Sequence, residues 1–441
     1  MKILKSVIYS CVLTLTILSK DIHDSKFVPT DLFQLPDDLE ITVWAKSPML
    51  FNPTNMDVDY KGRIWVAEGR RYRIFKKNKW LPKTDRIVVM EDTDKDGKAD
   101  KSWVFYEGED LIAPMGVAVI GNKVIVPQPP NLVVYTDINN NAKFDKGIDT
   151  KEILLTGWGA KDHDHGLHSV TVGPNGQWYF NTGNAGNPDV KGKDGFHLKA
   201  ASYYEKGTKR CGQKSSDGFV YIGGLAVRMN PDGTGLRVIG HNFRNSYEQV
   251  ITSFGDVFQN DNDNPPACRT SFLMEYANMG YAKNEGRLQW KRTRRFNFQM
   301  TGKQTIPTAE WGQDDPGVTP SGDVYGGGSP TGIAFYENGP MEGKWKGLLM
   351  SCEPARNVIF GYKPTIEGAG FKLKRMCTHF AMTLKEQRMN TLTHHNEHKH
   401  LKKHFWNSEQ EKLIRLDHVV ILFSSGIGSG VSHHILLITM H

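Results

Sequence analysis

From Asp38 to Lys374 the chain is a procession of short β-type runs split by Gly, Asn, Asp and Pro, with no amphipathic stretch of ten or more residues at helical spacing. Ile41–Trp44, Arg63–Ala67, Ile87–Met90, Lys123–Val126, Leu132–Tyr135, Ser169–Val172, Gln177–Phe180, Phe219–Ile222, Leu236–Ile239, Asp256–Phe258, Gly332–Tyr336, Leu348–Met350 and Val358–Tyr362 all read as strands. A chain that offers strands and no helices can bury them only against other strands. The fold class is therefore all-β.

A repeat narrows the architecture. An apolar run, a Gly-containing turn and an aromatic-rich strand recur at Met56–Gly69, Val170–Gly183 and Val250–Asp261, with weaker copies at Val117–Gln128 and Gly332–Gly339. Each copy is a β-hairpin. Hairpins recurring at this spacing predict radial four-stranded units, the blades of a propeller, which protects sheet edges by repetition. The expectation is a β-propeller over residues 36–375, a stretch long enough for five or six blades. A pair of packed sheets is the alternative architecture.

The two ends differ from this body. Residues 1–19 carry Lys2 and Lys5 ahead of an apolar run from Val7 to Leu18, the pattern of a signal peptide or an anchor. This predicts an exported protein, periplasmic or membrane-associated. Residues 376–441 hold ten of the sixteen histidines and read as a His-rich aberrant or disordered tail. Across the whole chain 55 basic residues oppose 48 acidic ones, a net charge of +7 spread over 441 residues. That is too dilute for nucleic acid, which needs clustered Lys and Arg. The mean hydropathy of −0.47 excludes a polytopic membrane protein. Five cysteines form no CxxC or CxxCH motif.

Three segments carry chemistry. Asp92, Asp94, Asp96 and Asp100 alternate around Gly97, as in a calcium loop, although Trp103 stands where a closing Glu would be. Asp137 to Asp145 is a weaker copy. Second, Lys161 to Ser169 packs three histidines and two aspartates just ahead of a strand. A neutral His held by a carboxylate is a competent base near neutral pH. Third, Arg244 and Asn245 precede the run Asn260, Asp261, Asn262, Asp263. The guanidinium fork suits carboxylates, and the run offers hard oxygen ligands for Ca²⁺.

These residues resemble a known family. His165 and Ser169, then Gly173-Pro174-Asn175-Gly176, Tyr179 and Gly183-Asn184, followed by Asn230-Pro231-Asp232-Gly233-Thr234-Gly235 and Phe243-Arg244-Asn245, look like ordered segments of the soluble glucose/sorbosone dehydrogenase propellers. The segments Asn52–Asp59, Gly62–Glu68, Glu91–Lys101 and Pro330–Tyr336 look like the membrane-bound dehydrogenase domain of planctomycete and verrucomicrobial proteins. The resemblance covers Asp38 to Arg375 and implies a six-bladed-type propeller, here incomplete, because the final blade expected after Arg375 does not appear. It implies a quinoprotein-type oxidoreductase that oxidises a sugar or other alcohol or aldehyde, passing hydride to pyrroloquinoline quinone with Ca²⁺ assistance. It also implies a c-type haem electron acceptor on another chain. His165 matches the base, with His168 a local competitor. Arg244 and Asn245 match quinone contacts, and Asn260, Asp261 and Asp263 lie in the loop where the catalytic calcium's backbone ligands would fall. Ser246, Tyr247 and Glu248 depart from the Pro and Gln of quinone-binding members. Two further readings stand beside it: a non-catalytic carbohydrate- or protein-binding propeller with a decayed site, and a Ca-dependent lactonase-like hydrolase.

Overall fold

The computed structural model describes residues 33–71, 84–159, 164–202, 210–263, 267–283, 310–313, 315–337, 343–356 and 358–376, together with strands at 402–404, 419–427 and 430–440. The leader at 1–19 and Lys161–His163 lie outside the described residues.

The strands assemble blade by blade, in chain order from the inside outward. Blade 1 is Pro53–Val58, Ile64–Glu68, Asp85–Glu91 and Lys101–Gly108; blade 2 is Ala118–Ile120, Lys123–Gln128, Asn131–Thr136 and Thr150–Thr156. Blade 3 is Leu167–Val172, Trp178–Thr182, Leu225–Met229 and Arg237–His241, with Ala277–Asn278 added in parallel at its outer edge. Blade 4 is Gln249–Ile251, Val257–Asp261, Cys268–Leu273 and Asp323–Gly326; blade 5 is Ile333–Tyr336, Leu348–Glu353, Val358–Glu367 and Gly370–Arg375. The first strands stand side by side around the centre. Four copies of the hairpin repeat are the first and second strands of blades 1 to 4, and the fifth, Gly332–Gly339, holds the first strand of blade 5. Their turns close the same way: Gly62, Gly176 and Gly255 each take positive φ, which a side chain would resist. In the first copy Asp59 accepts the amides of Lys61 and Arg63 and pairs with the Arg63 guanidinium at 2.7 Å.

The expected missing blade is corrected by the strand pairing. Leu39–Lys46, from the start of the propeller, pairs with Gly430–Met440, which pairs with Val419–Ile427, which pairs with Lys402–His404. This sixth sheet lies between blades 5 and 1. The tail expected to be aberrant or disordered therefore contributes three strands; its other residues from 377 onward lie outside the described residues. The hairpin repeat could not mark this blade. Its two inner strands are separated by residues 405–418 and not by a tight Gly turn, and its outermost strand comes from the other end of the chain. Joining the termini in one blade removes the open edges that an unfinished ring would expose.

Between blades the sheets bury apolar layers. Trp65, Phe105, Val124 and Tyr135 fill the gap between blades 1 and 2; Tyr179, Ile239, Phe243 and Leu273 that between blades 3 and 4. Leu39 and Ile41 pack on Trp345 and Leu348 of blade 5, while Trp44 and Ala45 pack on Met56 and Val66 of blade 1. A register shift between Val43 and Ala45 lets the single strand face both neighbours. Each such side chain contributes about 1.5–3 kcal/mol on burial.

Toward the axis the packing turns polar. Val117 N donates to Asn55 Oδ1 (3.3 Å), Asn55 Nδ2 to Ser169 Oγ (3.0 Å), Ser169 Oγ to Glu248 Oε1 (2.7 Å), and Ile333 N to Glu248 Oε2 (3.2 Å). This buried chain joins blades 1 to 5. Glu248→Ala leaves a buried hydroxyl and a buried amide without their acceptor and is expected to lower stability by about 2–4 kcal/mol. Urea unfolding checks this through a lower midpoint at unchanged slope; an unchanged midpoint means that the chain of bonds does not hold the ring.

Candidate functional site

Chain direction decides which loops can meet. Segments entering an innermost strand, and those joining second to third strands, open on one face; turns joining third to fourth strands open on the other. His165 enters blade 3, Arg244 and Asn245 enter blade 4, Gly183-Asn184 and Asn262-Asp263 follow second strands, and Glu353 ends one. All of them share one mouth.

The two histidine- and arginine-bearing segments are in direct contact there. A Cβ on Gly183 would lie 2.3 Å from Asn245 Oδ1 and 2.7 Å from His165 Cα, so only glycine allows both to close in. Asn184 N donates to Arg244 O at 2.8 Å, and Gly183 N donates to Gly166 O at 2.9 Å. His165 is buried, and its Nδ1 sits 2.7 Å from Asn184 Oδ1. The amide oxygen accepts the Nδ1 proton, which places the ring's lone pair on Nε2.

Beside it, the Arg244 side chain is 12% exposed, with Nη1 donating to Asn262 O at 3.2 Å and to Asn262 Oδ1, and Nε 3.7 Å from Asp263 Oδ1. Burial opposes its charge, but Tyr281, Asp263 and Asp261 outweigh this and raise its pKa. Asn245 Oδ1 is buried without a hydrogen-bond partner, an arrangement that calls for a donor from elsewhere.

In the loop expected to offer calcium its backbone ligands, Asn260 and Asp261 turn their side chains inward. Asn260 Nδ2 donates to Thr331 O and Ser351 Oγ, both at 3.1 Å. Asp261 accepts Asn245 N (2.8 Å) and Arg244 N (3.3 Å) and pairs with the fully buried Arg269 (3.2 Å), which lies 3.5 Å over the Trp311 ring. Burial raises the Asp261 pKa against the pull of Arg269, and burial lowers that of Arg269 to about 10. This ion pair shapes the Arg244–Asn245 turn; it presents no carboxylate oxygen to the mouth. Asp263 stays beside Arg244, with its backbone held by Cys268, whose Sγ donates to Asp263 O at 2.9 Å.

His168 has no part in the open mouth. It is fully buried, with Nδ1 2.8 Å from Ser246 O and Nε2 2.8 Å from Asp164 O.

The acidic loop Asp92–Asp100 joins the third and fourth strands of blade 1 and so lies on the opposite face. Ligand oxygens of Asp92, Asp94 and Asp96 come within 4.8 Å of one another. Asp100 is not among them: its Oδ2 takes the Thr93 amide at 3.2 Å and the Thr93 hydroxyl, and these bonds hold its pKa down. In the second loop Asp145 Oδ2 accepts from Asn139 (2.8 Å) and Asn141 (2.7 Å), which closes the turn on itself.

Three residues at or behind the mouth lie outside the set of site residues expected from the sequence. Asn184 orients His165, and only its place after Gly183 hints at it. Glu248 is visible in the sequence only as a departure from the quinone-binding pattern. Glu353 is fully buried, accepts the Ser329 amide, and stands so close to Gly328 that a Cβ there would meet its carboxylate. Gly328 O in turn accepts from Asn262 at 3.0 Å, so the group backs the Arg244 pocket. Burial pushes its carboxyl up to about 7.

The model of a family described as Domain of unknown function (DUF7133) matches residues 29–383. The chain belongs to this family. No curated protein matches it. Among solved structures, the DUF7133 chain is similar to the PQQ-bound aldose sugar dehydrogenase of Streptomyces coelicolor, at 13% identity and a TM-score of 0.56, covering 91% of this chain and 99% of that one. It is also similar to the PQQ domain of pyranose dehydrogenase from Coprinopsis cinerea, at 11% identity and 0.58, covering 94% and 98%. A carbohydrate-active family AA12 protein of Trichoderma reesei matches at 11% and 0.58, covering 95% and 100%. At these identities the likeness establishes the shared propeller fold.

The raised Glu353 pKa makes a prediction with a definite sign. Between its ordinary value of 4.5 and about 7 the folded protein binds more protons than the unfolded chain, so this group erodes stability as pH rises through that window. Glu353→Gln removes the effect. Relative to wild type, the variant is expected to gain on the order of 1 kcal/mol for each pH unit across the window. Denaturant melts at several pH values read it; a pH-independent difference refutes the assignment.

Proposed function

We propose that this DUF7133 protein is a quinoprotein-type oxidoreductase of a sugar or other alcohol or aldehyde, working at the mouth where His165 meets Arg244 and Asn245. The observation that carries the reading is the contact of these three residues around Gly183 and Asn184. The donor set suits a flat anionic quinone. Asn245 brings a buried amide oxygen that lacks a partner, and Arg244 is a cation whose fork has donors beyond those given to Asn262 and Asp263.

Pyrroloquinoline quinone, when bound, supplies a two-electron acceptor, and Ca²⁺ at the Asn262–Asp263 side supplies a Lewis acid. The chain's residues do the rest. Nε2 of His165 takes the substrate hydroxyl proton as the neighbouring C–H gives up hydride. Asn184 holds the ring in the tautomer that can accept it, and imidazole has the right basicity near neutral pH. Arg244 holds anionic groups by charge and geometry, and its ion pair with Asp263 keeps the fork aimed. Electrons leave to a c-type haem protein on another chain, and residues 1–19 direct the protein to the periplasm or membrane, where such acceptors work.

A structural calcium on the opposite face is a second part of this proposal. Asp92, Asp94 and Asp96 already converge, and Gly97 N closes the loop on Asp92 Oδ2 at 2.9 Å. Hard carboxylate oxygens of this kind bind Ca²⁺.

Two experiments test the proposal. Protein reconstituted with the quinone and Ca²⁺ is expected to reduce an artificial dye with aldoses, and His165→Ala to cut kcat by about 10²–10⁴-fold with quinone binding kept. Sugar binding without turnover would favour the non-catalytic propeller. Lactone hydrolysis lost on chelation, without a redox partner, would favour the hydrolase. For the loop, Ca²⁺ at a hundredfold excess over its Kd is expected to raise stability by about 3 kcal/mol. Asp94→Asn with Asp96→Asn should remove one binding event in calorimetric titration; an unaltered titration refutes the site.

A further inference from the structure

We propose that His168 is a doubly protonated imidazolium that clasps the two site loops together, a positioning residue for His165 on one side and for Arg244 and Asn245 on the other. The inference goes beyond the redox reading and does not depend on it.

The argument rests on donor and acceptor chemistry. Nδ1 lies 2.8 Å from Ser246 O and Nε2 lies 2.8 Å from Asp164 O. Both partners are backbone carbonyls, which only accept. A neutral imidazole has one N–H and one lone pair, so it would set that lone pair against a carbonyl oxygen at hydrogen-bond distance in a fully buried place. Only the form with two N–H groups satisfies both contacts.

The placement of the two carbonyls gives the clasp its purpose. Asp164 immediately precedes His165, and Ser246 immediately follows Asn245. Each bond therefore pins the backbone one residue away from a site side chain. The ring is itself held, stacked on Tyr247 at 4.9 Å and 24°, while the Tyr247 hydroxyl reaches Thr54 O (2.7 Å) and Met115 O (2.9 Å) across the centre. A buried cation must be balanced, and the Glu248 carboxylate is in the same layer, receiving the hydroxyl of Ser169, the neighbour of His168. The electron-rich face of Tyr247 adds to this balance. Titratable groups beside the ring include Asp164 and His165 on its own loop, and Arg244, Tyr247 and Glu248 on the segment packed against it. Tyr247 is kept neutral by burial, which raises its pKa.

The test uses the full chain with ¹⁵N-labelled histidine rings. At about pH 7.5, where an ordinary histidine has lost its second proton, both ring nitrogens of His168 are expected to resonate as protonated, pyrrole-type nitrogens. A lone-pair nitrogen at His168 overturns the proposal. His168→Phe, which keeps a ring on Tyr247 and removes both donors, assigns the signal by its loss; contacts between the His168 and Tyr247 ring protons assign it in wild type should that variant not fold. In the folded variant the amides of Gly183 and Asn184, which bond Gly166 O and Arg244 O, are expected to exchange at least about tenfold faster than in wild type. Unchanged exchange at both overturns the positioning role, whatever the protein's activity.

Discussion

One buried carboxylate organises the centre of this molecule. Glu248 takes the hydroxyl of Ser169 from blade 3 and the amide of Ile333 from blade 5, and through Ser169 the bonds continue to Asn55 and the backbone of blade 2. Six apolar layers between blades would hold the sheets together in many relative heights, because hydrophobic burial is non-directional. Hydrogen bonds with both partners buried are directional, and they fix the heights. The mouth above them then inherits a defined geometry.

That geometry is what brings chemistry within reach. Val170–Val172 and Gln249–Ile251 belong to different blades, yet their leading loops touch at Gly183, where His165, Asn184 and Asn245 converge. The Asp261–Arg269 pair lies directly beneath and spends its charges on the turn that carries Arg244 and Asn245. Acidic residues that look alike in the sequence are thereby separated by function. Asp261 braces a turn, Asp263 stands beside Arg244, and Asp92, Asp94 and Asp96 gather on the far face.

Much of this was legible in the residues. The hairpin repeats mark the inner strand pairs of blades 1 to 4 and the first strand of blade 5 because a tight turn leaves a local Gly signature, and local signatures survive in sequence. His165 and the Arg244–Asn245 pair stood out for the same reason, each lying in a compact motif. The closing blade was not legible. Its pairing of Leu39–Lys46 with Gly430–Met440 joins opposite ends of the chain, and no local pattern records such a partnership. His168 and Asp100 share short motifs with His165 and Asp92 but turn to Ser246 and Asp164 carbonyls and to Thr93, and spacing alone does not tell which way a side chain turns. Glu353 left no mark, because its character comes from burial against Gly328 and Ser329.

By itself the sequence determined the strands, the turns between them and the radial, all-β plan, since alternation and glycine act over a few residues. The tertiary structure alone decided which histidine is taken up by backbone carbonyls, which carboxylates are consumed by the fold and how the ring is completed. Those outcomes depend on hydrogen bonds and burial between segments far apart in the chain, and such contacts exist only once the blades have closed on one another.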